Sequence, residues 1–326
     1  MPEINLPTEV LLYVLLSVVG FVALIKSAEF FVDGAASLAR NFKISTAVVG
    51  LTIVAFGTSA PELAISFNSH ISNNTDMLLG NVIGSNITNI LVILGLAVLI
   101  RPFKVERNVA FKDIPILLFI TLGVSILLLD NLFDSTKYNT LSRTDGIMLV
   151  LLFFVFVYYI ITILSSKEKE NDLQIEPKYK LFKSILLTVI GLIGIIVGSK
   201  LVVDNVAEFA YAIGISQKII SVTIISIGTS LPELVTTVIA AKKGENNIAI
   251  GNIVGSNIFN TCIVLGLPIM LLGDVVTTAF NVFDVLFMLF AVVFLWIFAF
   301  GGEFKRYQAF ILLGTYALYI VYIFMQ

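Results

Sequence analysis

The chain has 326 residues, of which 58% are hydrophobic and only 13% charged, with a mean hydropathy of +1.01. Such a composition excludes a soluble globular domain and leaves a polytopic membrane protein. The net charge of −2 gives no electrostatic ground for binding nucleic acid. One cysteine, Cys262, and one histidine, His70, exclude an internal disulfide, a zinc site and Cys/His catalysis.

Apolar stretches long enough to cross a ~30 Å hydrocarbon core as helix recur at about 8–39, 46–68, 78–99, 113–130, 146–164, 184–211, 217–240, 248–272, 281–300 and 308–325. The first has no basic region before it and is too long for a cleaved leader, so it is expected to remain as a span. Lys26, Glu29 and Asp33 in the first span, and Lys200, Asp204 and Glu208 in the sixth, are spaced for ion pairing along one helix face or for reaching the interface. His70 reads as surface, and Tyr158, Tyr159 and the tyrosines from Tyr307 to Tyr322 suit interfacial belts. With both termini outside, the inner loops hold fifteen Lys and Arg and the outer loops three, Lys137, Arg143 and Lys218. This bias predicts a multi-pass protein of the cell membrane, surrounded by the lipid bilayer, with a cytoplasmic central loop.

The halves of the chain align without gaps at an offset of 171 residues over a long window. Gly57-Thr58-Ser59-Ala60-Pro61-Glu62-Leu63 returns as Gly228-Thr229-Ser230-Leu231-Pro232-Glu233-Leu234, and Gly80-Asn81-Val82-Ile83-Gly84-Ser85-Asn86-Ile87-Thr88-Asn89 returns as Gly251-Asn252-Ile253-Val254-Gly255-Ser256-Asn257-Ile258-Phe259-Asn260. Shared hydrophobicity cannot align Asn, Ser, Thr, Glu and Pro, so the chain is a duplication. Five spans per half is an odd number, and the second half must enter the membrane from the opposite side. The expected fold is therefore all-α, with ten transmembrane helices in two inverted-topology five-helix repeats. Residues 1–164 form the first repeat, with its motifs in 50–96; 165–183 form a charged cytoplasmic linker acting as a hinge; 184–326 form the second repeat, with motifs in 221–267. Such repeats hold substrate near the midplane on interrupted helices.

The interruptions carry the chemistry. A proline within a helix cannot bond the carbonyl four residues back, which is Gly57 for Pro61 and Gly228 for Pro232. Each break frees backbone oxygen beside hydroxyls, with Glu62 or Glu233 next to it. A charged carboxylate at the centre of a membrane helix costs about 2.5–3.5 kcal/mol, and no Lys or Arg lies in either motif to offset it. An all-oxygen ligand set with paired carboxylates suits a hard cation such as Ca²⁺ or Na⁺. Gly80-x-x-x-Gly84 and Gly251-x-x-x-Gly255 are small-residue packing motifs that would let the next helix approach the breaks. Helical spacing puts Ser85 with Asn89, and Ser256 with Asn260, on one face, while Asn81, Asn86, Asn252 and Asn257 read as helix-to-helix hydrogen-bonding residues.

At these residues the sequence resembles the calcium/cation antiporter superfamily, in its sodium/calcium exchanger branch, whose paired repeats carry G-T-S-x-P-E followed by G-N-x-x-G-S-N. The proton/calcium exchanger branch usually has G-N-x-x-E instead. Nineteen residues between the halves leave no room for the large regulatory loop of animal exchangers, which points to the prokaryotic type. The resemblance implies that Glu62 and Glu233 bridge the central sites and that Thr58 and Thr229 contribute to calcium binding. It implies flanking sodium sites completed by Ser59, Ser85, Ser230 and Ser256 with the backbone oxygens of Ala55 and Ser226, and a cluster closed by Asn89 and Asn260. Some relatives, including potassium-dependent exchangers, have Asp at the position of Asn260; its absence here argues against potassium co-transport.

The expectation is thus a secondary antiporter, not an enzyme, that exchanges Na⁺ for Ca²⁺ by alternating access and electrogenically. The long first spans of the two repeats would slide against the other eight. It would need no cofactor beyond the transported ions and no obligate protein partner. Proton coupling, another divalent cation, or a passive cation channel are the competing readings; an intramembrane enzyme has no plausible base to activate Ser59 or Ser230.

Overall fold

A computed structural model describes residues 6–129, 139–165, 176–215, 226–277 and 282–325. The elements are α1 (Leu6–Phe42), α2 (Thr46–Thr58), α3 (Ala60–Ile71), α4 (Thr75–Ile100), α5 (Val109–Leu128), α6 (Arg143–Ser165), α7 (Leu181–Ala212), α8 (Ser226–Thr229), α9 (Leu231–Lys243), α10 (Asn246–Leu272), α11 (Val282–Phe300) and α12 (Arg306–Met325). Each of the ten anticipated spans falls on helix, with the second split into α2 and α3. The beginning of the seventh, 217–225, lies outside the described residues, as does most of the linker hinge. Seven described helices are long and apolar enough to cross a membrane unaided, and α2 with α3 makes an eighth, bent by 44°.

The duplication is visible in the backbone. Lys43 and Asn73 adopt left-handed φ of 56° and 54°, and their mates 171 residues on, Gly214 and Gly244, have φ of 91° and 82°. The second copy uses glycine, which has no Cβ to resist this conformation. Wide π-turns begin at Asn89 in α4 and at its mate Asn260 in α10.

Two short antiparallel sheets establish the topology. Strand β1 (Phe103–Lys104), after the third span, pairs with β4 (Glu303–Phe304), between the ninth and tenth. Strand β2 (Asn139–Leu141), between the fourth and fifth, pairs with β3 (Val275–Thr277), after the eighth. A span crosses the bilayer once, so loops following odd-numbered spans share one face and the remaining loops share the other; both sheets obey that rule. Side-chain contacts obey it too: Arg40 grips Glu245 with one guanidinium nitrogen at 2.8 and 2.9 Å, Arg101 Nη1 donates to the Lys242 carbonyl, and at the opposite face the Arg143 N–H donates to Asp274.

Helices α4 and α10 form the centre, with 67% and 78% of their most apolar stretch buried against protein, whereas α1 buries only 17% and lies at the periphery. Around the centre, α6 packs on α10, α12 on α4, and α5 on α11, the arrangement an inverted repeat requires. Helices α1 and α7 run together along the outside. Their contact is glycine-lined: a Cβ on Gly191 would sit 2.5 Å from the Phe31 nitrogen, and one on Gly34 would sit 2.6 Å from the Thr188 nitrogen. Neither distance tolerates a side chain without separating the helices.

Some surface expectations change. Lys26 pairs with Glu29 on its own helix, but Asp33 pairs across elements, with Lys178 at 2.7 Å and with Lys243. Tyr158 is exposed, as an interfacial belt requires, yet Tyr159 donates to Asp113 at 2.6 Å and Tyr319, 6% exposed, donates to Asp284 at 3.1 Å. Asp113 and Asp284 are repeat mates, so these tyrosines tie the fifth span to the fourth and the tenth to the ninth. His70 is half-buried instead of plain surface.

The α1–α7 contact yields a prediction. Gly191→Val should destabilise the protein by on the order of 1–3 kcal/mol through overpacking, read as a lowered thermal midpoint in detergent; an unchanged midpoint would show that these helices are not in the contact described.

Candidate functional site

The first break forms where the chain cannot continue one helix. Helix α2 ends at Thr58, Ser59 turns with φ −85° and ψ 8°, and Pro61 occupies the first turn of α3. There its missing N–H costs nothing. The second break repeats this, with Ser230 at φ −85° and ψ 4° and Pro232 in the first turn of α9. The carbonyl four residues before Pro232, that of Gly228, accepts a hydrogen bond from Ser199 Oγ of α7 at 3.2 Å.

The two breaks meet. Ser59 Oγ donates to Glu233 Oε1 at 2.8 Å, joining the first motif to the carboxylate of the second. Glu62 lies within electrostatic reach of Glu233, and both are 1% exposed. Their Oε2 atoms are buried and accept no hydrogen bond among the described residues. Among the described residues no group of three or more His, Cys, Asp and Glu could hold a metal. A cation here would therefore draw its other ligands from hydroxyls, amides and backbone carbonyls.

Several such groups meet at the first break. The Ala55 carbonyl accepts from the Ser59 N–H at 3.0 Å, from Thr58 Oγ1 at 3.2 Å and from Ser256 Oγ at 3.4 Å, so four of the anticipated residues from both repeats converge on one oxygen. Thr58 Oγ1 also reaches the Val54 carbonyl and Asn252 Oδ1, at 3.1 and 3.2 Å. Its single proton serves one acceptor at a time, and its lone pairs stay open. Ser85 Oγ donates to the Asn81 carbonyl one turn back. Ser230 is buried beside Glu233 in chain order and Thr229 is half-buried. Ser226 opens α8, with only its backbone described. Asn89 and Asn260 are buried; among the described residues Asn89 Oδ1 and both amide atoms of Asn260 make no hydrogen bond.

The remaining asparagines join helices. Asn81 Nδ2 donates to the Glu62 carbonyl and to Ser66 Oγ, each at 3.1 Å. Its mate Asn252 donates to Thr237 Oγ1 at 2.8 Å. Asn86 donates to Thr261 Oγ1 at 2.9 Å, and Asn257 to the Asn86 carbonyl at 3.2 Å. Glycines make this approach feasible: a Cβ on Gly255 would lie 2.4 Å from the Leu51 carbonyl oxygen, and one on Gly251 would lie 2.8 Å from that of Ala47. For Gly80 and Gly84, the corresponding positions, 218 and 222, lie outside the described residues. Sequence reasoning passed over Ser66, Thr237, Ser199 and Thr261. The first two were detectable, since the repeat offset aligns a hydroxyl with a hydroxyl; the other two have no hydroxyl mate.

A family model described as sodium/calcium exchanger protein matches residues 12–162 and 183–325, and the chain belongs to that family, one of exchangers and not of enzymes. It is 38% identical over 269 residues to the inner membrane protein YrbG of Escherichia coli K12, covering 80% of each chain. It is 31% identical over 344 residues to the sodium/calcium exchanger MaX1 of Methanosarcina acetivorans, covering 95% of this chain and 98% of that one. Among solved structures, the sodium-calcium exchanger NCX_Mj soaked with 10 mM Na⁺ and zero Ca²⁺ is similar with a TM-score of 0.83 at 30% identity, over 96% of this chain and 99% of that one.

The polar network predicts a cost for its removal. Asn252→Ala removes the buried amide that donates to Thr237 Oγ1 and should destabilise the protein by about 1–3 kcal/mol; thermal unfolding checks this, and a wild-type midpoint would contradict it.

Proposed function

We propose that the protein is a secondary antiporter that exchanges Na⁺ for Ca²⁺ across the cell membrane by alternating access. The observation that carries this reading is the meeting of Glu62 and Glu233, two buried carboxylates on inverted helix breaks, joined through Ser59 and without a basic residue in either motif. Buried charge of one sign requires compensation, and mobile cations provide it. Family membership and the likeness to a sodium-calcium exchanger support Na⁺ and Ca²⁺ as those cations.

In this reading Glu62 and Glu233 bridge the central positions, and Thr58 and Thr229 supply calcium ligands. Ser59, Ser85, Ser230 and Ser256, with the carbonyls of Ala55 and Ser226, form the sodium positions, and Asn89 and Asn260 close the cluster. A hydroxyl that donates to the Ala55 carbonyl in the described state rotates its proton away and turns its lone pair to an arriving cation. Ca²⁺ and Na⁺ compete for overlapping oxygens, so the carrier changes conformation only when the carboxylates are neutralised. Residues 1–164 and 184–326 are the two repeats, joined by the linker 165–183. Helices α1 and α7, locked together by their glycines, move as one body against the other spans. The face rich in Lys and Arg is cytoplasmic, which puts both termini outside. Asn260, an amide, makes exchange independent of K⁺. No resident cofactor and no second protein is needed.

The test uses proteoliposomes with clamped membrane voltage and clamped ΔpH. An imposed Na⁺ gradient should drive Ca²⁺ flux that responds to voltage and not to K⁺, and Glu62→Gln or Glu233→Gln should reduce it to background. Flux that follows ΔpH instead of Na⁺ would replace the coupling ion, single-channel currents would replace the carrier, and near-normal flux in either variant would refute the site.

A further inference from the structure

We propose that Asn257 is a positioning residue for cation binding, fixing the amide of Asn89 so that Asn89 offers its oxygen, and not its NH₂, to the cation. The proposal rests on the assignment of Asn89 to the ion cluster made above. Its starting point is the Asn86 backbone carbonyl, which can only accept a hydrogen bond. Asn257 Nδ2 donates to that carbonyl at 3.2 Å. The orientation of the Asn257 side chain is thereby determined, with Oδ1 on the opposite branch. Asn89 meets that Oδ1 at 2.9 Å. Two oxygens without a proton between them repel, so Asn89 must present Nδ2 there. Its own Oδ1 then points away from Asn257, buried and without a donor from the protein.

Turning the Asn89 amide over would set oxygen against oxygen at Asn257 and aim the positive NH₂ edge at the cation. Bulk solvent does not reach these groups to relieve either penalty, because Asn86 and Asn89 are each 1% exposed and Asn257 is 0% exposed. Hard cations are coordinated through oxygen, so orientation decides whether Asn89 attracts or repels.

The repeat provides an internal control. At the offset of 171, Asn89 maps to Asn260 and Asn257 maps to Asn86. The mate of the Asn89–Asn257 bond would join Asn260 to Asn86, yet Asn86 Oδ1 and both amide atoms of Asn260 make no hydrogen bond. Asn86 Nδ2 is engaged instead by Thr261 Oγ1 at 2.9 Å, and the mate of Thr261 is Ile90, which has no hydroxyl. One amide of the symmetric pair is thus held by its counterpart, and the other has no such hydrogen bond among the described residues.

The experiment measures Ca²⁺-dependent thermal stabilisation of the purified full chain in detergent, which reads binding without requiring transport. Asn257→Ala should weaken apparent Ca²⁺ affinity by about tenfold, the order expected for one oriented polar contact. In an Asn89→Asp background the same substitution should cause no loss of affinity, because a carboxylate presents oxygen to the cation on either branch and meets the Asn257 oxygen with repulsion instead of a hydrogen bond. Asn257→Asp, carrying its proton on the oxygen that faces the Asn86 carbonyl, donates there and still accepts from Asn89, and should hold affinity within a few-fold of wild type, which preserves the test if the alanine variant does not fold. Undiminished affinity in Asn257→Ala, an equal loss in the Asn89→Asp background, or a tenfold loss in Asn257→Asp would each overturn the proposal. If the wild-type protein responds to neither Ca²⁺ nor Na⁺, the exchanger reading itself falls; if it responds and the variants do not differ, only the role of Asn257 falls.

Discussion

Two carboxylates enclosed in a membrane core, with no basic residue in the motifs that carry them, form the constraint to which the rest of this structure answers. Burying one such charge costs several kcal/mol, and burying two of the same sign adds repulsion. Neither motif supplies a lysine or arginine. Ser59 donates to one oxygen of Glu233, and among the described residues the second oxygen of each carboxylate has no hydrogen-bond partner. That arrangement is poor as a permanent core and well suited to a load of exchangeable cations.

The surrounding structure can be read as the support this arrangement needs. Irregular backbone is tolerated at membrane depth only where protein or a polar cavity receives it. Here the helix breaks are received by each other, through Ser59 and Glu233, by α10, through Ser256 and Ala55, and by α7, through Ser199. The asparagines of α4 and α10 bind the broken helices to the centre on both sides of the repeat axis. Glycine lets backbones approach to distances at which these short polar side chains reach.

Symmetry in the chain does not produce equality of its halves. At one face Arg40 grips Glu245 and Lys243 meets Asp33. The repeat mates of Arg40, Glu245 and Lys243 are Tyr211, Asn74 and Ser72, none of which can reproduce the charges. The same asymmetry appears at the centre, where Thr261 holds Asn86 and Ile90 can hold nothing. The two halves of the inverted repeat thus differ in the charges and hydrogen bonds that hold them.

Much of the fold was legible because each level of the pattern had a local physical cause. Apolar runs of membrane length gave the spans within a few residues, the odd number of spans per half gave inversion, and Pro61 and Pro232 located the breaks through the hydrogen bonds that they cannot make. The pairing roles of Asn81, Asn86, Asn252 and Asn257 were also readable, since an amide in a membrane helix needs a partner. The partners themselves were not, because they lie on other helices. Nor was the cross-element pairing of Asp33 with Lys178 and Lys243, or of Tyr159 with Asp113, since spacing along one helix says nothing about its neighbours. By itself the sequence determined the membrane class, the duplication and the identity of the oxygen-bearing residues, all properties of composition and local order. Only the tertiary structure decided which oxygens converge and which way the Asn89 amide faces, because both depend on directional hydrogen bonds between residues more than 160 positions apart.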